Sequence, residues 1–210
     1  MKNSEFIFWV KHNNLTVPAT KNFSPGNKFY DEHLIISNDI ELRSWVPSHC
    51  RLSSAILSGL EILPITEGTN VLYTGNSDGI TVSHLSDIVG KDGKIVFVTE
   101  NQSFKNKNLL NRQNIILKNN FDEIKKTHEN EFETIFIDMF ENTQQNFILE
   151  ICKNFLKSNG YLMILIPNSD KELTKDLIKE YRKNLNIIQN VELGSYQKNQ
   201  LLIVAQSINF

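Results

Sequence analysis

Apolar and polar positions follow two different rhythms along this chain. Over residues 5–45, short runs rich in aromatic and β-branched residues (EFIFWV, LTVPAT, KFYDEHLIIS and IELRSW) are separated by the turn-forming stretches KHNN, SPGN and SND. They predict a small antiparallel β module. Pro18 marks an edge strand, because proline cannot donate to a ladder. Near residue 47 the period changes. Leu52, Ala55, Ile56, Leu60 and Leu63 recur at helical spacing behind Pro47 and Ser48, where a helix begins. From residue 70 apolar runs alternate with helical stretches. Strands are expected at about 71–75, 94–98, 114–117, 134–138 and 161–166, and helices at about 80–90, 103–111, 122–128, 143–157 and 170–183.

Strands alternating with helices imply right-handed crossovers and a parallel sheet. The last two strands, at about 186–193 and 200–205, are joined only by GSYQKN. That is too short for a crossover, so they form an antiparallel hairpin at the sheet edge. The expected division is an N-terminal β module over 1–46 and an α/β domain over 47–210. A doubly wound sheet closed by a C-terminal hairpin is the usual pattern of class I, Rossmann-like methyltransferases.

Composition narrows the class. With 210 residues and 40% hydrophobic residues, the chain can build one ordinary domain with a small appendage. A net charge of −2 and a pI near 6.2 exclude a strongly basic nucleic-acid binder, so RNA contact rests on a local patch or a partner. Cys50 and Cys152 make neither a disulfide framework nor a metal spacing. The opening MKNSEFIFWVKHNN has too short an apolar run for a signal peptide. No stretch reaches the roughly 18 apolar residues of a membrane span. The expected location is cytoplasmic, or nucleolar if the source is eukaryotic.

The stretch VLYTGNSDGITVSHLSDIVG turns from strand to helix on Gly75 and Gly79, as many α/β proteins do around a nucleotide-like cofactor. It resembles the cofactor loop of the fibrillarin family, V-L-Y-L-G-x-x-x-G-T-T-V-S-H-x-S-D-I-V-G, through Thr81, Val82, Ser83, His84, Ser86, Asp87, Ile88 and Gly90. TKNFSPGNKFYDE and RSWVPSHCRLSSAILSGLEILPI resemble two further family segments. The resemblance spans nearly the whole chain. It implies guide-directed ribose 2′-O-methylation of rRNA or tRNA, S-adenosylmethionine as cofactor with no metal, and a box C/D complex with a Nop-family scaffold protein and guide RNA. A catalytic fibrillarin is a further partner it suggests.

The family resembles other 2′-O-methyltransferases in using a Lys–Asp–Lys–His set. A ribose hydroxyl is a weak acid and needs a positioned acceptor or cation as it attacks a sulfonium methyl. Placed residue by residue, the first lysine is Arg51, which keeps the cation but is effectively never deprotonated. The aspartate is Asp138, intact in TIFIDMF. The second lysine is Pro167 in ILIPNSD, with no charge or donor, and the histidine is Gln200, which cannot shuttle a proton near neutral pH. Lys171 and Lys198 lie near the lost positions in sequence without ending a strand.

The cofactor loop departs from the family too. Its small A-A-S is Asn76-Ser77-Asp78 here, and the Asp78 carboxylate would face the cofactor's own. The acid expected at the end of the second strand falls on Thr99, with Glu100 one residue on; the third strand's acid falls near Asn120. Bland readings stand beside these. His84 reads as a packed helix residue, Asp138 as a helix N-cap or loop ligand, and Phe6, Phe8, Trp9 and Trp45 as sheet core. KELTKDLIKEYRKN reads as a solvated amphipathic helix. The expected function is a fibrillarin-like component of a box C/D-type complex with a degraded site, structural or assembling in role. The alternatives are an active RNA 2′-O-methyltransferase with a rebuilt site, and a small-molecule or nucleotide binder reusing the fold.

Overall fold

The computed structural model describes residues 5–75, 78–99, 101, 106–125, 128–138 and 145–208. The N-terminal strands are β1 Phe8–His12, β2 Leu15–Lys21, β3 Leu34–Ser37 and β4 Ile40–Ser44, in the antiparallel order β1-β2-β4-β3. Its two tight hairpins turn on Asn13-Asn14 and Asn38-Asp39, all at positive φ between 47° and 67°. That is the mirror-image turn whose twist suits paired strands, and Asn and Asp tolerate it best after glycine.

Several expectations from the sequence need correction here, and Trp9, 40% exposed, is not sheet core. Pro18 is not on an edge, since β2 lies between β1 and β4. Its missing donor falls on the β4 side, just beyond the point where that pairing starts at Ala19, while its carbonyl accepts from Trp45 N at 2.7 Å. KFYDEHLIIS is not one strand. The Glu32 carboxylate accepts from Phe29 N and Tyr30 N, at 2.9 and 2.8 Å, and folds residues 28–33 into a bend before β3. The expected helix at 122–128 is a single 3-10 turn, Phe121–Glu123, started by Asn120; residues 126 and 127 lie outside the described residues.

The second sheet combines β5 Asn70–Gly75, β6 Lys94–Val98, β7 Ile115–Lys118, β8 Phe132–Asp138, β9 Leu156–Pro167, β10 Leu185–Glu192 and β11 Gln200–Ser207. Its order is β10-β11-β9-β8-β5-β6-β7, parallel from β9 to β7, with β11 antiparallel to both β9 and β10. This is the expected class I methyltransferase-like sheet. Helices α1 Arg51–Leu57, α2 Ile80–Val89, α3 Lys107–Leu110, α4 Gln145–Phe155 and α5 Lys171–Tyr181 accompany it. Helix α1 is shorter than its apolar spacing promised: it closes before Gly59, which sits at φ 105°. Period two along each central strand fills both faces of the sheet. Val71 and Tyr73 join α1 and α2 in one core, while Leu72 joins α4 in the other.

A buried polar network fastens the small sheet to α2. Asp87 accepts from Arg43 Nη1 at 2.7 Å, Arg112 Nη1 at 2.6 Å, Thr20 Oγ1 at 2.7 Å and Phe23 N at 3.0 Å. Arg43 Nε also donates to Glu32 at 3.0 Å, and the side chains of Arg43, Glu32 and Asp87 are fully buried. Two guanidiniums face two carboxylates, so the network carries no net charge from these four groups. The Arg43 and Arg112 guanidiniums also cover the Phe29 ring, at 4.4 and 4.2 Å.

His84 completes the joint. Its ring stacks on Trp45 at 4.5 Å, Nε2 lies 2.9 Å from Tyr30 Oη, and Nδ1 lies 2.8 Å from Thr20 Oγ1. Tyr30 donates its own proton to Ser44 O, so Nε2 carries hydrogen and donates to Tyr30. Thr20 has one proton for both Nδ1 and Asp87, so beside a neutral His84 it serves only one of them at a time. Full burial, then the positive charge of Arg43 and of Arg112, hold the His84 pKa well below 6.5. A histidine kept neutral by the fold binds fewer protons folded than unfolded. Its contribution is therefore full above the unfolded pKa and is lost as pH falls below it, by about 1.4 kcal/mol per pH unit until the folded pKa is reached. Urea unfolding at pH 5 and pH 7 should show this loss in the native protein and a shallower pH dependence in His84→Gln. An equal slope in both would count against a neutral His84.

Candidate active site

The strand order reverses between β5 and β8: from β5 the chain builds outward through β6 and β7, then returns to β8 on the other side. A crevice at the carboxyl ends of strands flanking such a switch point is where open α/β sheets bind ligands. A cavity of about 300 Å³ lies there, lined by His49, Cys50, Arg51, Asp78, Thr81, Asp138 and Gln197. Four elements build it. Asp138 ends β8, Arg51 opens α1, Thr81 sits in the first turn of α2, and Gln197 comes from the β10–β11 turn, donating to Ser48 O at 3.3 Å.

Asp138 is its centre. Oδ2 accepts from Tyr73 Oη at 2.5 Å. Oδ1 lies 2.5 Å from Arg51 Nη2, which also donates to the Asp138 carbonyl at 3.2 Å. The contact to Oδ1 is an ion pair, and Thr81 also supports the carboxylate from the first turn of α2. Burial pushes the Asp138 pKa up; the Arg51 charge and the Tyr73 hydroxyl pull it back down. Cys50 Sγ lies 3.2 Å from Thr81 Oγ1, and burial raises its thiol pKa.

The glycine turn has internal reasons of its own. A Cβ on Gly75 would run into the Asp138 backbone carbonyl, so glycine there is required by the approach of β5 to β8. Gly79 takes φ 91° as N-cap of α2, which no β-branched residue adopts easily. Asp78 Oδ1 accepts from Ile80 N at 3.1 Å and so occupies one of the free donors at that helix start.

Among the residues singled out from sequence, Arg51, Thr81 and Asp138 come together around the cavity. Pro167 and Gln200 do not line it. They face each other across β9 and β11, and Gln200 is buried with Oε1 lacking a partner among the described residues. Thr99 is buried, with Oγ1 accepting from Asn101 N at 3.2 Å. Asn120 spends its side chain accepting from Glu123 N at 3.1 Å. Glu100, like Asn76 and Ser77, lies outside the described residues. Lys171 does not replace a lost cation in this structure, since its ammonium is 2.6 Å from Glu192 on an exposed edge. Tyr73, His49 and Gln197 were not anticipated. Tyr73 alone carried a signal: a phenol beside Val71 and Leu72 in a buried strand needs a polar partner.

The fibrillarin family model matches residues 1–209. The chain is 34% identical to the fibrillarin-like rRNA/tRNA 2′-O-methyltransferase of Thermococcus sibiricus, over 90% of this chain and 89% of that one. It is 30% identical to the protein of the same description from Sulfurisphaera tokodaii, over 96% and 93%. Its fold is similar to that of Aeropyrum pernix fibrillarin in complex with natively bound S-adenosyl-L-methionine, at TM-score 0.85 and 26% identity, covering 95% of this chain and 93% of that one. It is also similar to a chain of a fibrillarin/Nop5p complex, at TM-score 0.77 and 25% identity, covering 91% and 94%. From the N-terminal sheet to the C-terminal hairpin, this chain belongs to the fibrillarin family.

Proposed function

We propose that this chain takes the fibrillarin place in a box C/D-type ribonucleoprotein, on a Nop-family scaffold with guide RNA, and serves there mainly as a structural or assembling subunit with a weakened methyl-transfer site. The observation that carries the weakening is the state of Asp138. The one matching acid is held between Tyr73 and the Arg51 guanidinium, while Pro167 and Gln200 bring neither ammonium nor imidazole. Arg51 supplies charge but cannot exchange a proton.

The residues present fit S-adenosylmethionine at the switch-point cavity. The glycine turn survives, and the buried Asp138 carboxylate borders the volume where a ribose hydroxyl would enter. Thr81, Asp78 and the Gly79 turn are the groups that would border the cofactor, which supplies an electrophilic methyl on a sulfonium. Asp138 orients the hydroxyl by accepting from it. Arg51 holds the carboxylate in its charged form and sets its position. Asp78, whose carboxylate accepts from Ile80 N, would repel the cofactor's own carboxylate if the two came close.

The partner reading is supported by the fibrillarin/Nop5p likeness and by the net charge of −2, which gives RNA no net attraction to the chain alone. Gel filtration of the purified chain with a Nop-family scaffold and a box C/D guide RNA should give one co-eluting complex, and isolated RNA at physiological salt should bind only weakly. Failure to join the complex, or sub-micromolar RNA binding by the chain alone, would overturn it.

A further inference from the structure

We propose that His49 supplies the imidazole that Gln200 no longer carries, so that whatever methyl transfer this site supports runs through His49; the inference rests on the methyl-transfer reading above. The chain has five histidines. His84 and His12 are buried and held by hydrogen bonds, and His33 stacks on His12 at 4.0 Å between centroids. His128 stacks on Phe132 at 5.9 Å. His49 borders the cavity that contains Arg51, Thr81 and Asp138.

Its placement follows from the chain's entry into α1. The backbone N of His49 donates to Val46 O at 3.1 Å, which turns the chain before the N-cap residue Cys50. The ring meets Tyr30 edge to face at 6.2 Å, and Tyr30 is itself fixed by Ser44 O and His84. An exposed imidazole on a fixed base is free to meet a ligand in the cavity. A proton acceptor needs only hydrogen-bond reach of the hydroxyl it serves, so entry from the start of α1 serves as well as entry from β11.

The roles divide as follows. The ribose 2′ oxygen forms the bond to the methyl carbon, and the carbon–sulfur bond breaks with its electron pair going to sulfur, so the sulfonium becomes a thioether. The hydroxyl proton passes to an imidazole nitrogen of His49 and from there to water. Asp138 accepts the hydroxyl's hydrogen bond beforehand. The cation missing at Pro167 is not replaced by His49, which keeps the native site slow.

Two measurements test this. The first uses the assembled complex with S-adenosylmethionine and a chain carrying Arg51→Lys and Pro167→Lys, with Gln200 left in place. Methylation should appear and should fall by roughly 10²-fold or more when His49→Gln is added. Methylation indifferent to His49→Gln, methylation that appears only after Gln200→His, or none in any of these chains would overturn the proposal. The second needs no turnover. NMR signals of the His49 ring, assigned by their loss in His49→Gln, should move in Asp138→Asn and on adding S-adenosylmethionine; signals fixed in both cases would overturn it. Fast methylation by the native chain would refute the weakened-site reading instead, and the His49→Gln result would still decide this one.

Discussion

Replacing Asp87 with alanine is expected to destabilise the protein by about 3–5 kcal/mol, the usual cost of removing one partner from a buried ion pair. Asp87 is shared by Arg43, Arg112, the Thr20 hydroxyl and the Phe23 amide, and its side chain is fully buried. Without it, two guanidiniums remain inside with Glu32 as their nearest opposing charge. A typical domain has only about 5–15 kcal/mol of stability in all, so the variant should unfold at much lower denaturant. The small sheet should loosen first, because Thr20 and Arg43 both belong to it. Guanidinium unfolding of Asp87→Ala, with proteolysis of the segment around residues 46–50 as a local readout, checks this. A change under about 1 kcal/mol would mean the network contributes packing but little electrostatic stability.

The same network explains what was legible in the sequence and what was not. The runs TKNFSPGNKFYDE, RSWVP and TVSHLSD stood out by resemblance and read as separate family segments. Thr20, Tyr30, Glu32, Arg43, His84 and Asp87 instead meet one another inside the protein. No sequence period marks such a joint, because its members lie on separate elements and satisfy each other only after folding. The βα alternation and the hairpin could be read from period and loop length alone. Pro18 was misplaced because strand order is a property of the whole sheet, whereas a missing donor is only a local clue. In the site, Asp138 and Arg51 were identified by resemblance, but their ion pair and the Tyr73 bond depend on how α1, β5 and β8 converge. His49 and Gln197 enter the cavity from turns, which carry no periodic signal at all.

The second large effect concerns methyl transfer. Each positioned acid–base or charge-stabilising group typically contributes roughly 10²–10⁴-fold to a rate. Position 167 offers proline, position 200 a buried amide, and position 51 a cation that cannot give up its proton. Restoring them as Pro167→Lys, Gln200→His and Arg51→Lys should therefore raise the rate by at least about 10²-fold. Overpacking is not expected to mask the gain at 167, which is exposed at the end of β9. We propose that this family member keeps the fold and the joint while its methyl-transfer site is weakened. The most direct measurement is single-turnover methylation by the native chain, in a complex with scaffold, guide RNA and saturating S-adenosylmethionine, beside a relative that retains all four family residues. A weakened site should give a rate at least about 10²-fold below that relative; a rate within a few-fold of it would show an intact one.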